Sequence, residues 1–127
     1  MYGCSKEKQY TSILTYENLT NQEVKIIAYR DNNQKLEEWS LSIPSKKSVK
    51  TVITRYDSED LFESIFFIKV IFEDKKSVVY DKLNNSYLNS DTNLFNLLNY
   101  KGTRESGHWK LLITDKHYQE ASIKSLN

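Results

Sequence analysis

The chain has 127 residues, a length that suits one domain with a single hydrophobic core. Lysine and arginine number 18 and aspartate and glutamate 17, which gives a net charge of +1 at pH 7. This balance argues against a nucleic-acid partner, because phosphate binding usually leaves a basic surplus on the domain. No apolar run approaches the roughly 20 residues that a membrane-spanning helix needs.

Alternating side chains predict four strands in the first half of the chain. The polar, aperiodic stretch 1–9 is interpreted as an N-terminal tether, and a single domain is expected over 10–127. In the third strand Trp39, Leu41 and Ile43 share one face, which follows the two-residue period of a strand. The predicted strands of this half are 10–16, 23–30, 35–43 and 48–54.

The second half contains the most apolar strand of the chain. The stretch 64–73 is apolar on both faces except at Lys69, which is typical of a strand buried on both sides in the centre of a sheet. Leucines at helical spacing behind capping residues predict a short helix near 94–99. The remaining predictions are a hairpin strand at 76–83, a loop at 101–107, a last strand at 108–114 and a helical turn at 116–122.

Seven short strands separated by polar turns predict an all-β fold of two packed antiparallel sheets. An immunoglobulin-like sandwich with the short helix near 94–99 is the first choice. The disulfide of antibody domains is absent, since the chain has one cysteine. A small β-barrel is the alternative architecture.

The residues that could carry catalysis are few, and the sequence predicts a protein that is not an enzyme. The glycines are scattered, so no phosphate-binding loop is expected, and one cysteine excludes a cysteine-built zinc site. His117 is interpreted as a solvated surface histidine. The carboxylates of 57–63 lack the ordered spacing of a calcium loop and are interpreted as a solvated acidic loop. No cofactor and no metal are therefore expected.

Tyrosines in predicted loops are the candidate binding residues of the domain. Tyr56, Tyr87 and Tyr100 fall in such loops, where the large side chain supplies contact area at modest entropic cost. The alternative is that they fold over the core. The stretches 18–20 and 84–86 match the glycosylation acceptor pattern, which is common by chance.

The only cysteine, Cys4, precedes every predicted strand, whereas structural cysteines are usually buried in a core. The residues Gly3-Cys4-Ser5 resemble the end of a bacterial lipobox. Ser5-Lys6-Glu7 resembles the short charged signal that follows the cysteine in surface-exposed lipoproteins of Bacteroidota, and the β-rich domain is similar to small lipoproteins of that group. The resemblance implies a lipid on Cys4 and an anchor in the outer membrane or at the cell surface.

The start of the chain departs from the lipoprotein pattern at two points. Tyr2 is bulky where a small residue is usual, and only three residues precede Cys4. A secretory signal has a charged region and an apolar region ahead of the cleavage site. The resemblance therefore predicts such a segment upstream of Met1.

Two functional hypotheses follow, and neither involves nucleic acid. The first is a non-enzymatic, lipid-anchored module of the cell envelope that binds an unidentified protein or glycan through its loops. The second is a soluble, cytoplasmic inhibitor or immunity-type protein that blocks one partner protein. The acidic stretch 57–63 motivates the second hypothesis, because a charged loop can recognise a single partner.

Overall fold

The structure is a computed structural model that describes residues 9–30, 35–56, 62, 65–82, 91–103 and 105–124. These ranges contain eight strands, a 3-10 helix and an α-helix. The strands are β1 (Gln9–Asn18), β2 (Val24–Tyr29), β3 (Lys35–Ile43), β4 (Ser48–Tyr56), β5 (Phe67–Phe72), β6 (Ser77–Asp81), β7 (Lys101–Thr103) and β8 (His108–Ile113). The 3-10 helix is Leu97–Asn99, and the α-helix, α1, is Asp115–Lys124.

The strands form two four-stranded sheets, so the predicted sandwich is confirmed. The first sheet has the order β4-β1-β8-β7 and the second the order β3-β2-β5-β6. All pairs are antiparallel except β1 and β8, which run parallel. Within the described ranges both sheets are open, unlike those of a closed barrel. The strand order also differs from the division into ABED and CFG sheets of a constant-type immunoglobulin domain.

The core lies between the two sheets and is built from inward-facing residues at every second position. β2 and β5 show this alternation along their whole length, with burial of each inward side chain. Tyr16 of β1 and Trp39 of β3 meet across the core with ring centroids 6.1 Å apart in an edge arrangement. Such aromatic pairs add to the stabilisation that burial alone provides. The fully buried large side chains include Leu14, Tyr16, Ile26, Ile43, Ile68, Phe72, Tyr80, Leu111 and Ile113.

The loop after β1 is organised by Asn18, whose side chain is completely buried. Its Nδ2 donates to the carbonyl oxygens of Gln22 at 2.7 Å and Ile43 at 2.9 Å. Its Oδ1 accepts from the backbone N–H of Thr20 at 3.0 Å and from the hydroxyl of Thr20 at 2.7 Å. Both amide hydrogens are used inside the fold. Residues 18–20 therefore organise the loop after β1, and a glycan cannot attach to the Asn18 nitrogen in the folded domain.

The stretch 101–107, which the sequence predicts to be a loop, contains strand β7. Gly102 lies opposite Trp109 of β8 and has φ +151°, outside the range that L side chains favour. A Cβ at Gly102 would lie 2.0 Å from the carbonyl oxygen of His108. Glycine therefore allows β7 to approach β8 closely enough to pair. With only three residues, β7 is too short to show a strand pattern in the sequence.

Helix α1 is longer than the predicted turn and closes the core beside β6 and β5. Tyr118 packs edge to face on Phe72, with ring centroids 5.0 Å apart. Ala121, one turn further along, is fully buried. None of the helices in the described part of the chain has the length and apolar character needed to span a bilayer.

Candidate functional site

The outer face of the first sheet follows the usual rule for a sheet in contact with water. Antiparallel sheets of this kind place apolar side chains toward the core and polar ones outward. On β1, β4, β7 and β8 the outward positions are mostly hydroxyl and charged side chains. Val52 on the edge strand β4 is the most exposed apolar residue of this face, at 55%.

The outer face of the second sheet carries more apolar side chains, which are interspersed with lysines across the strands and meet directly at Phe67 and Tyr29. Ile27 of β2 is opposite Lys69 of β5, which is opposite Val79 of β6. In the next row toward one end Ile71 is opposite Lys25, and toward the other end Phe67 is opposite Tyr29. The apolar face is defined here as Ile27, Tyr29, Phe67, Ile71 and Val79.

Side chains of the apolar face remain accessible to solvent. Val79 is 41% exposed, and the other four members are half-buried by their neighbours. The central position of β5 is confirmed, since β5 lies between β2 and β6. The predicted burial of both its faces is wrong, because only the inward side chains of β5 are buried. Helix α1 packs on the core side of this sheet, where Tyr118 contacts Phe72.

An open groove of about 200 Å³ continues the apolar face at one end of β2 and β5. The side chain of Glu73 is held in place there, because its Oε1 accepts from the backbone N–H of Glu23 at 3.0 Å. Apolar and charged groups therefore meet at this end of the face. The groove is lined by Glu23, Lys25, Ile71, Phe72, Glu73 and Lys75.

Lys25 and Lys69 place two ammonium groups among the apolar side chains. The ion pairs within the described part of the chain are Lys110 with Glu17 and Lys116 with Asp91. Neither lysine of the apolar face therefore pairs with a described carboxylate. Long lysine stems can cover apolar neighbours while the charged end stays in water.

His117 is buried, so its prediction as a solvated histidine is wrong. Its Nδ1 accepts from the backbone N–H of Thr114 at 3.0 Å, and this leaves the ring proton on Nε2, which donates to the carbonyl oxygen of Thr92 at 3.0 Å. Burial lowers the pKa of His117, which favours the neutral ring. Both ring nitrogens thus bind backbone groups that join α1 to the segment before the 3-10 helix.

Tyr100, predicted as a loop residue with two interpretations, lies in the core. Its hydroxyl donates to the carbonyl oxygen of Leu94 at 2.7 Å and lies 2.7 Å from the hydroxyl of Tyr16. Only 6% of the residue is exposed, so folding over the core is the interpretation that describes it. Tyr56 ends strand β4 rather than lying in a loop.

Several sequence-based predictions fall on parts of the chain outside the described residues. They concern Cys4, Tyr87, the side chain of Tyr56, most of the acidic stretch 57–63 and the acceptor match at 84–86. Among the residues that are described, no three histidine, cysteine, aspartate or glutamate side chains converge as metal ligands would.

The loop tyrosines do not indicate the apolar face, although the sequence carries a signal for it. That signal was the apolar character of both faces of 64–73, which was interpreted as complete burial. No protein-family profile matches the chain, and no curated protein or solved structure matches it either. The apolar face is therefore the feature of the molecule that indicates a function.

Proposed function

We propose that this domain is a non-enzymatic interaction module that binds a protein partner through the apolar face. The observation that carries the proposal is a set of five apolar side chains, interspersed with two lysines, on the outer side of a sheet, where the core does not need them. Contiguous apolar surface with a polar rim marks interaction sites on soluble domains. Tyr29 and Phe67 add aromatic area, which is enriched at protein interfaces.

The shape of the apolar face favours a protein over a small molecule as the partner. Small ligands bind in concave pockets that enclose most of their surface. The apolar face extends instead across three neighbouring strands, and its groove is open. A partner that covers Ile27, Ile71 and Val79 would gain the free energy of removing apolar area from water, about 25 cal/mol per Å² before the costs of association.

The location of the domain is a separate part of the proposal. The resemblance at Gly3-Cys4-Ser5 supports a lipid on Cys4 and a place in the cell envelope, with the residues ahead of β1 as the tether. The soluble inhibitor or immunity-type alternative would use the same apolar face without the anchor. Binding and anchoring therefore need separate experiments.

Val79→Asp tests the binding function, with Val52→Asp as a matched control. Both valines lie on edge strands and face outward, Val79 on the second sheet and Val52 on the first. Each variant and the wild-type domain are immobilised and exposed to an extract of the source cells, and captured proteins are quantified by mass spectrometry. We expect the wild type and Val52→Asp to capture one protein in similar amounts. The amount captured by Val79→Asp should be lower by about tenfold or more, and tenfold corresponds to a loss of roughly 1.4 kcal/mol in binding free energy.

Thermal unfolding of the three proteins provides the control for folding. Substitutions at exposed positions usually change stability by no more than about 0.5 kcal/mol, so similar melting temperatures are expected. Equal capture by all three folded proteins would refute the apolar face as a binding surface. Equal loss with both aspartate variants would refute it as well, since the loss would not be specific to the second sheet.

A further inference from the structure

We infer that the partner of the apolar face is an acidic protein surface whose carboxylates bind Lys25 and Lys69. This inference rests on the proposed function and adds the chemistry of the partner. Three observations support it: where the two lysines lie, which groups they lack as partners, and how charge is distributed over the face.

Both lysines lie on central strands. Lys25 is on β2 and Lys69 on β5, and these two strands pair with each other in the middle of the second sheet. Lysine on an edge strand is explained by protection against unwanted sheet extension. That explanation does not apply to outward positions in the centre of a sheet. Lys69 lies directly between Ile27 and Val79, so any partner that covers these two side chains also covers the lysine.

A covered ammonium group needs an anionic partner. Taking a charge out of water carries a desolvation cost that only good pairing offsets. The described carboxylates leave Lys25 and Lys69 without an ion pair. A partner that buries the two ammonium groups offsets this cost by supplying the opposite charge, and complementary charge also selects among partners and accelerates association.

The described carboxylates of this sheet lie at the ends of the face and not at its centre. Glu23 and Glu73 flank the groove at one end, and Asp81 is in the row at the other end, opposite Phe67. Glu73 is engaged by the backbone N–H of Glu23. Lys75 also lines that groove, and Lys35 is opposite Tyr29 in the other end row, so the described ends of the face carry both signs of charge. The two central rows carry Lys25 and Lys69 without a described carboxylate, so a complementary surface places its carboxylates over those rows.

The spacing of the two lysines indicates how those carboxylates are arranged. Lys25 is opposite Ile71, two residues beyond Lys69, so the lysines are diagonal neighbours. Diagonal positions on adjacent strands lie about 7–8 Å apart. Carboxylates at every second residue of an extended strand lie roughly 6.8 Å apart and point the same way. An extended segment with two acidic residues in this spacing and apolar residues on either side matches the face.

Short peptides with this pattern test the inference. The acidic probe is Leu-Thr-Glu-Thr-Glu-Thr-Leu, and its matched control replaces both Glu with Lys. Each peptide is titrated into the isotope-labelled domain, and binding is followed through the backbone amide shifts of β2, β5 and β6. We expect the acidic peptide to bind at least fivefold more tightly than the basic one, and the difference to shrink as salt is raised.

Charge reversal on the domain should invert this preference. The variant Lys25→Glu/Lys69→Glu is expected to bind the basic peptide more tightly than the acidic one. The control Lys50→Glu/Lys101→Glu, on the outer face of the first sheet, should keep the wild-type preference. Equal affinity of the wild type for both peptides, or no binding of either, would overturn the inference.

The capture assay separates this inference from the proposed function. If Val79→Asp loses the captured protein while Lys25→Glu/Lys69→Glu retains it, the apolar face binds a protein but not through these lysines. If both variants lose it and Lys50→Glu/Lys101→Glu retains it, the function and the inference are both supported. If Val79→Asp retains it, the proposed function itself fails.

Discussion

The hydroxyl groups of two core tyrosines form a short chain of hydrogen bonds that ends at a backbone carbonyl. The hydroxyl oxygens of Tyr16 and Tyr100 lie 2.7 Å apart, and the hydroxyl of Tyr100 donates to the carbonyl oxygen of Leu94. Burial raises the pKa of both phenols, so they stay neutral at physiological pH. These hydrogen bonds link β1 of the first sheet to the segment that contains Leu94 and Tyr100, and they explain why Tyr100 faces inward.

The two hydroxyl groups should contribute unequally to stability. Tyr100→Phe leaves the carbonyl of Leu94 and the hydroxyl of Tyr16 buried without this partner, and we expect it to lower the free energy of unfolding by about 1–3 kcal/mol. Tyr16→Phe leaves the bond from Tyr100 to Leu94 intact and should cost less, about 0.5–1.5 kcal/mol. Urea denaturation of both variants measures the difference. An equal loss of stability in both variants, or a larger loss in Tyr16→Phe, would contradict a hydrogen bond from Tyr100 to Leu94.

The start of α1 shows how one side chain can join two elements. Thr114 precedes the helix, and His117 accepts its backbone N–H in the position where a capping box usually has Glu or Gln. The other ring nitrogen of His117 binds the carbonyl of Thr92. The same ring therefore caps α1 and attaches it to the segment before the 3-10 helix.

This arrangement predicts a pH dependence of stability that the variant His117→Gln removes. Burial lowers the folded-state pKa of His117 below its ordinary value of 6.5, although Glu120 and Asp91 partly oppose the shift. The unfolded chain then binds the proton first, so the stabilisation is complete above pH 6.5 and is lost as pH falls toward the folded-state pKa. Glutamine keeps a capping acceptor without titrating.

Urea denaturation between pH 7.5 and 5 tests this prediction. The wild-type free energy of unfolding should fall below pH 6.5 with a slope of up to about 1.4 kcal/mol per pH unit from this group, and the slope of His117→Gln should be smaller by that amount. Tyr118 lowers the pKa of Asp74, and Lys116 lowers the pKa of Asp91, from the ordinary value of 3.8. These two carboxylates therefore lose their contribution to stability near and below pH 3.8, outside this window. Equal slopes for both proteins in this window would refute the role given to His117.

Elements with a strong local pattern were predictable, and elements that depend on a distant neighbour were not. The alternation in β2 and β3 is visible in the residues themselves, as is the hairpin of β5 and β6. β7 has only three residues, and it exists as a strand because β8 pairs with it. The parallel pairing of β1 with β8 likewise joins the two ends of the chain and leaves no local signal.

For the molecule as a whole, the N-terminal anchor is the prediction that concerns its place in the cell. We expect a precursor with a lipoprotein signal ahead of Cys4 to appear in the membrane fraction of a bacterium that processes lipoproteins. Each buried methylene of an attached acyl chain contributes about 0.8 kcal/mol to membrane binding, so Cys4→Ala should move the domain to the soluble fraction.

Ser5→Ala serves as the control for the anchoring experiment, because it changes the neighbouring side chain and keeps the thiol. It should leave the membrane fraction unchanged. Incorporation of a labelled fatty acid into the wild type and into Ser5→Ala, but not into Cys4→Ala, would identify the attachment site. Equal membrane association of all three proteins would contradict a lipid anchor on Cys4.

The fold class is predictable from the residues alone, because the two-residue alternation of apolar side chains is a local property of each strand. The apolar face of β3, with Trp39 and Ile43, is likewise predictable as the buried one, because the opposite face is polar. Which of the two apolar faces of β5 is covered depends instead on how the two sheets pack. An inward and an outward apolar row look identical in the sequence, and the difference arises when the first sheet packs on one of them and leaves Ile71 and Phe67 on the other.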